Sequence, residues 1–277
     1  MVQSYELRDG FQIPKIGFGT YELNGVEGTR IIENALLNGY RLIDTAFNYE
    51  NEGIVGKAIK NSSIPRDQIT VTSKLPGRHQ QYKPALRTIQ ESIARLGLDY
   101  VDLYLIHWPN PKQGQFVEAW QALIDSQKSG LIRSIGVCNF LPEHIDTLEL
   151  ETGVLPVINQ IELHPRFNQQ EQRKYDESKN IITQSWSPLG RAGEVLANHI
   201  LVELSHKYQK TVSQIILRWH LQLDALPIPK SSKVSRQIEN IDIFDFALSA
   251  EDMQKINSIS SSNGRIKDQD PAVYEEF

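Results

Sequence analysis

Four ionisable side chains stand at or just past the ends of short apolar runs. Asp44 lies in RLIDT (41–45), and Tyr49 follows on the turn that leaves it. Lys74 closes ITVTSK (69–74), and His107 closes VDLYLIH (101–107). Each has an ordinary reading when taken alone: a helix N-cap, a packed aromatic, a solvated strand tip, a core histidine. Together they make a coherent chemistry. A free tyrosine has a pKa of about 10 and is a poor acid near neutrality. An ammonium at Lys74 would favour the phenolate and lower that value. Asp44 would keep Lys74 charged and oriented, and His107 would hydrogen-bond a substrate oxygen. This is equipment for protonating an oxygen while a partner reduces the carbon.

A second signal is IPKSSKVSRQIEN, residues 228–240. Lys230, Ser231 and Arg236 place two cations and a hydroxyl at the start of an expected helix, where free N–H groups and the dipole attract phosphate. A chain built for NAD typically offers an acid to the ribose hydroxyl. Here the cluster is basic, which suits a 2′-phosphate. Other chemistries lack their patterns. Gly17-Phe18-Gly19 does not complete G-x-G-x-x-G, and neither a Walker A nor a G-x-S-x-G pattern occurs. The seven histidines have no zinc spacing, so no metal is expected. A barrel glycosidase using Asp44 and Glu162 would leave Lys74 and the 228–240 segment unexplained.

Groups this far apart in sequence converge only if their strands are parallel neighbours. Eight apolar runs alternate with helical segments. Besides those above they are KIGFGT (15–20), IRSIGVCN (132–139), PVINQIE (156–162), IITQSWS (181–187) and ALPIPKS (225–231). Helical stripes such as Ile31, Ile32, Ala35, Leu36 and Leu86, Ile89, Ile93, Leu96 lie between runs. Eight βα units in a chain of this length predict a (β/α)8 TIM barrel, whose sites sit at the carboxyl ends of the strands. Residues 5–13 alternate around Asp9-Gly10, which predicts an N-terminal β-hairpin. No linker divides the chain, so 1–277 is expected to be one domain.

Composition fits this picture. Of 277 residues 40% are hydrophobic and 23% charged, and the net charge of −5 gives no general attraction to nucleic acid or anionic lipid. No apolar run is long enough to cross a membrane. The stretch MVQSYELRDG lacks the features of a secretory signal, and the single cysteine, Cys138, rules out an intramolecular disulfide. A cytoplasmic monomer acting on a small molecule is the expectation.

Three segments, GYRLIDTAFNYENEGIVG (39–56), the IRSIGVCNF run and IPKSSKVSRQIEN, occur in order with Lys74 and His107 between them. With them the chain resembles the aldo-keto reductases, in particular the bacterial branch that includes 2,5-diketo-D-gluconic acid reductases. The resemblance implies a barrel that uses NADPH without a Rossmann domain, and carbonyl reduction by Asp44, Tyr49, Lys74 and His107 with Tyr49 as general acid. It implies that Asn139 and Gln160 hold the nicotinamide carboxamide beside Gly19, Thr20, Tyr21, Asp44 and Cys138, and that Trp186 stacks on the ring. Ser187, Pro188, Leu189, Gly190 and Arg191 would wrap the pyrophosphate. Lys230, Ser231, Ser232 and Arg236 would grip the 2′-phosphate, with Glu239 and Asn240 near the adenine. Tyr21, Phe47, His107 and Trp108 would meet the carbonyl substrate. Many members carry serine at the Cys138 position and tyrosine at the Trp186 position. An alternative within the resemblance is an NADPH-binding, redox-sensing module with little turnover.

Overall fold

The computed structural model describes residues 3–267 and 269–277. Its first elements, β1 (Ser4–Glu6) and β2 (Gln12–Pro14), form an antiparallel pair with Tyr5 opposite Ile13. The turn between them depends on Gly10, whose φ of +83° disfavours a side chain, and on Asp9, whose carboxylate accepts the Phe11 N–H.

Eight parallel strands follow. They are β3 (Phe18–Gly19), β4 (Leu42–Asp44), β5 (Thr70–Leu75), β6 (Val101–Ile106), β7 (Ile132–Cys138), β8 (Ile158–Glu162), β9 (Ile182–Trp186) and β10 (Leu226–Pro227). Each pairs with the next. The sheet closes on itself, because the Gly17 amide donates to the Pro227 carbonyl and the Gly19 amide to the Pro229 carbonyl, both at 3.0 Å. The result is the (β/α)8 barrel that the alternation predicts. Gly17 is needed at this seam, since a Cβ there would lie 2.4 Å from Ile228 Cδ1. The eight runs all become strands, but ALPIPKS yields only two strand residues. Pro227 and Pro229 have no N–H to give a ladder.

The outer layer comprises α1 (Gly25–Leu37), α2 (Glu52–Asn61), α3 (Tyr82–Leu96), α4 (Phe116–Lys128), α5 (Pro142–Thr152), α6 (Gln170–Ser178), α7 (His199–Tyr208), α8 (Val212–Gln222), α9 (Val234–Ile241) and α10 (Ala250–Asn257). The stripes on α1 and α3 bury against the barrel: Ile31, Ile32, Ala35, Leu36, Ile89, Ile93 and Leu96 all lie in one core. Among the described residues no helix is long and apolar enough to cross a membrane.

A second core fills the barrel itself. Leu42, Leu103, Leu105, Ile158, Leu226 and Ile228 meet there, joined by Leu7 and Ile13 of the hairpin. The hairpin thus plugs the end where the strands begin and leaves the other end open. Strand side chains alternate with period two, so residues of the same parity as these leucines also face inward. Asp44 is two residues beyond Leu42, His107 two beyond Leu105, and Gln160 two beyond Ile158. The apolar filling at one end and the polar groups at the other are therefore set by one alternation.

Candidate active site

Lys74 is fully buried, and its stem runs through the barrel to bring Nζ 2.6 Å from Asp44 Oδ1 and 2.8 Å from the Thr45 carbonyl. Burial works against its charge, but Asp44 outweighs this and raises the ammonium's pKa. The other oxygen, Asp44 Oδ2, accepts from Gln160 Nε2 at 2.8 Å. Tyr49 sits above, its ring centre 5.2 Å from Lys74 Nζ and 6.0 Å from the His107 ring. The structure thus brings Asp44, Tyr49, Lys74 and His107 together. One expectation needs correction. The Tyr49 phenol is not lowered: burial pushes it up to about 12, more than Lys74 pulls it down. The proton stays on Tyr49 near neutrality, which suits a donor.

The NYENEG turn holds this geometry. Asn51 donates to the Thr20 and Leu23 carbonyls and accepts from the Thr45 hydroxyl, tying the loops after β3 and β4. Glu52, also buried, accepts from Ser73 Oγ on β5.

The open barrel end is a cavity of about 570 Å³. Gly19, Thr20, Tyr21, Asp44, Tyr49, His107, Trp108, Asn139, Gln160 and Trp186 line it, as do Ser187, Pro188, Leu189, Arg191 and Lys230. Asn139, at φ +60°, takes Trp186 Nε1–H at 2.7 Å on its oxygen and gives an N–H to the His107 carbonyl at 3.0 Å. An amide has two donor hydrogens and two acceptor lone pairs. Asn139 therefore keeps one of each for a ligand. Gln160 spends both donors, on Asp44 and Gln184, and keeps its oxygen apart from a 3.9 Å contact with Cys138 Sγ.

Other expected residues fall outside the lining. Phe47 is buried under Arg95, 4.1 Å from its ring, and packs edge-on against His79. Its neighbour Asn48 faces the cavity instead, because Phe47 starts a single 3-10 turn that points consecutive side chains apart. Cys138 is fully buried below Gln160, and burial raises its thiol's pKa. Gly190 lies in the loop with φ +57°, behind its neighbours. Ser231 and Ser232 follow Lys230 in the loop before α9, and Arg236, Glu239 and Asn240 lie on α9. Ser232 and Arg236 are exposed, Ser231 and Asn240 buried, and Glu239 accepts from the Thr211 hydroxyl. His164, just past β8, pairs with Glu162 in the interior at 2.9 Å. Among the described residues no cluster of three or more His, Cys, Asp or Glu could hold a metal ion.

One wall comes from a segment that no motif announces. Lys267, Gln269, Tyr274 and Glu276 all reach the cavity. Tyr274 lies 4.4 Å from Trp108 between ring centres, and Glu276 Oε1 lies 2.7 Å from His107 Nδ1. Burial works to raise the Glu276 carboxyl, but His107, the Gly77 N–H and Asn48 hold it below its ordinary value. Among its described residues the segment has no strand or helix, so periodicity gives no signal for it.

Comparison with known proteins places the chain in a family. The family description "Aldo/keto reductase family" matches residues 15–261. The chain belongs to the aldo/keto reductase family. It is 46% identical to 2,5-diketo-D-gluconic acid reductase B of Corynebacterium sp. (strain SHS752001) over 276 residues, covering 100% of this chain and 99% of that protein. It is 44% identical to glyoxal reductase of Bacillus subtilis (strain 168), covering 92% of each. A crystal structure of a Gox0644 mutant in complex with NADPH superposes with a TM-score of 0.94 at 41% identity, covering 99% of both chains. The chain thus shares its barrel over nearly its full length with a solved structure that holds NADPH.

Proposed function

We propose that this chain is an NADPH-dependent reductase of aldehydes and ketones. The observation that carries the reading is the buried Lys74–Asp44 pair directly beneath Tyr49, at the floor of a cavity that His107 also lines. Packing alone does not require an ammonium and a carboxylate in a barrel core, since taking each ion out of water costs on the order of several kcal/mol.

The residues fit the dinucleotide. The spare amide groups of Asn139 and the free oxygen of Gln160 suit a carboxamide, and the Trp186 ring beside them suits stacking on nicotinamide. The loop 187–191 would take the pyrophosphate. Lys230, with Ser231 and Ser232 before α9 and Arg236 on it, would take the 2′-phosphate, with Glu239 and Asn240 nearer the adenine. Bound NADPH supplies a hydride to the carbonyl carbon. Tyr49 gives its hydroxyl proton to the carbonyl oxygen, and the phenolate left behind is stabilised by the Lys74 ammonium until solvent returns a proton. Asp44 holds Lys74 in place, and His107 orients the substrate oxygen. Tyr21 and Trp108 border the opening and would meet the rest of the substrate. The names of the relatives point to small dicarbonyl compounds and keto sugar acids.

The test is NADPH consumption with a panel including glyoxal, 2,5-diketo-D-gluconate, simple aldehydes and ketoses. Turnover with several members is expected. NADPH binding without turnover across the panel would overturn the reductase reading in favour of a cofactor-sensing module.

A further inference from the structure

We propose that Glu276 is a positioning residue for His107, fixing which imidazole nitrogen carries the permanent proton and which faces the substrate. The inference rests on the reading of His107 as a ligand of the substrate oxygen. Glu276 is 8% exposed, and its backbone is moored independently of its side chain. Its N–H donates to Asn110 Oδ1 at 3.0 Å, and Asn110 Nδ2 donates to its carbonyl at 2.8 Å. The seat is fitted to it: a Cβ on Gly77 would lie 2.4 Å from that carbonyl oxygen.

The carboxylate then reaches three pieces of the site. Oε2 accepts the Gly77 N–H at 2.8 Å, just past the strand that carries Lys74. Oε1 accepts Asn48 Nδ2 at 2.8 Å, next to Tyr49. The same oxygen lies 2.7 Å from His107 Nδ1, which is buried. It sits off the line of an Nδ1–H bond, so the contact is a charge contact more than an aligned hydrogen bond. A carboxylate only accepts. A bare Nδ1 lone pair against it would be repulsive, so Nδ1 carries a proton whether the ring is neutral or charged. Nε2 then faces the substrate; because a carbonyl oxygen only accepts, it is the doubly protonated ring that donates there, with Glu276 as its counter-charge. A histidine's partner sets its tautomer in this way in many catalytic sites.

The test uses the full chain labelled with 15N-histidine, with the His107 signal assigned by its loss in His107→Phe. Two-bond proton–nitrogen correlation should give an Nδ1–H ring in the wild type, with and without NADP⁺. In Glu276→Gln the amide keeps one oxygen for Gly77 and can turn its NH₂ to His107, so the proton should move to Nε2. kcat/KM for carbonyl reduction should fall roughly ten- to a hundredfold, the range for loss of the outer partner of a metal-ligating histidine, with NADPH affinity unchanged. Asn110→Ala keeps the carboxylate but unmoors it, and should move the same signal in the same direction; it carries the test if Glu276→Gln does not fold. An Nδ1–H ring in both variants, or wild-type kcat/KM in Glu276→Gln, overturns the proposal. A wild type with the Nδ1–H ring and no turnover on any carbonyl would sink the reductase reading while leaving the tautomer assignment in place.

Discussion

Lys74 Nζ and Asp44 Oδ1 are 2.6 Å apart, and neither side chain is more than 5% exposed. Removing one partner strands the other. Asp44→Ala should destabilise the fold by about 3–5 kcal/mol, whereas the double change Asp44→Leu with Lys74→Met should cost less than that single change. Urea unfolding of the two variants checks this. A double variant less stable than Asp44→Ala would mean that the pair is a net stabiliser and not a device held for chemistry.

Tyr49→Phe should keep the barrel and NADPH binding while lowering turnover by roughly 10²–10⁴, the share of a general acid. With its phenol pushed up to about 12, Tyr49 should also stay protonated in the free protein from pH 7 to 9. Ultraviolet difference spectra of wild type against Tyr49→Phe over that range should contain no tyrosinate band. A band appearing near pH 8 would restore the lowered value that the ammonium alone suggests.

Arg236 is exposed in the first turn of α9, and Lys230, before the helix, lines the cavity. Charged hydrogen bonds contribute about 1.5–3 kcal/mol each. Arg236→Ala should therefore weaken NADPH by roughly ten- to a hundredfold and leave NADH nearly unchanged. Equal losses in titrations with both cofactors would remove Arg236 from 2′-phosphate binding.

Asp176 on α6 is fully buried and accepts from Gln172, Asn159 and Thr183, yet burial pushes its carboxyl up to about 7 from 3.8. The folded protein then holds a proton that the unfolded chain releases between these values. Stability from this group is full below about pH 4, falls as pH rises, and levels off above about 7, a swing on the order of 4 kcal/mol at most. Asp176→Asn, whose NH₂ can donate to Thr183 Oγ1, should flatten the slope of unfolding free energy between pH 5 and 7. A slope as steep as wild type would place the titration elsewhere.

The barrel and the four central residues were legible because one physical rule governs both. Period-two alternation puts Asp44, Lys74 and His107 on the inward face with the leucines, at or next to the ends of β4, β5 and β6 on the open side, and Tyr49 follows on the turn after β4. Phe47 was misread because proximity in sequence to Tyr49 says nothing about direction on a 3-10 turn, where it faces Arg95. The Tyr49 pKa was misread because sequence shows the nearby ammonium but not the burial that opposes it. Glu276 was invisible because its place depends on Asn110 and Gly77, far away in the chain, and on no periodic pattern.

The seam between β3 and β10 has a further consequence. Its two hydrogen bonds both run from glycine amides to proline carbonyls, and Pro227 and Pro229 have no N–H to return one. The ring is stitched in one direction there. It can be stitched only after the chain that supplies the eighth strand has left the ribosome, so every shorter nascent chain carries two unpaired sheet edges. Gly19 and Lys230 flank this joint, and both line the cavity. A dinucleotide lying across them would act as a clasp on the barrel's thinnest join, slowing exchange of the Gly17 and Gly19 amides far more than those between β6 and β7.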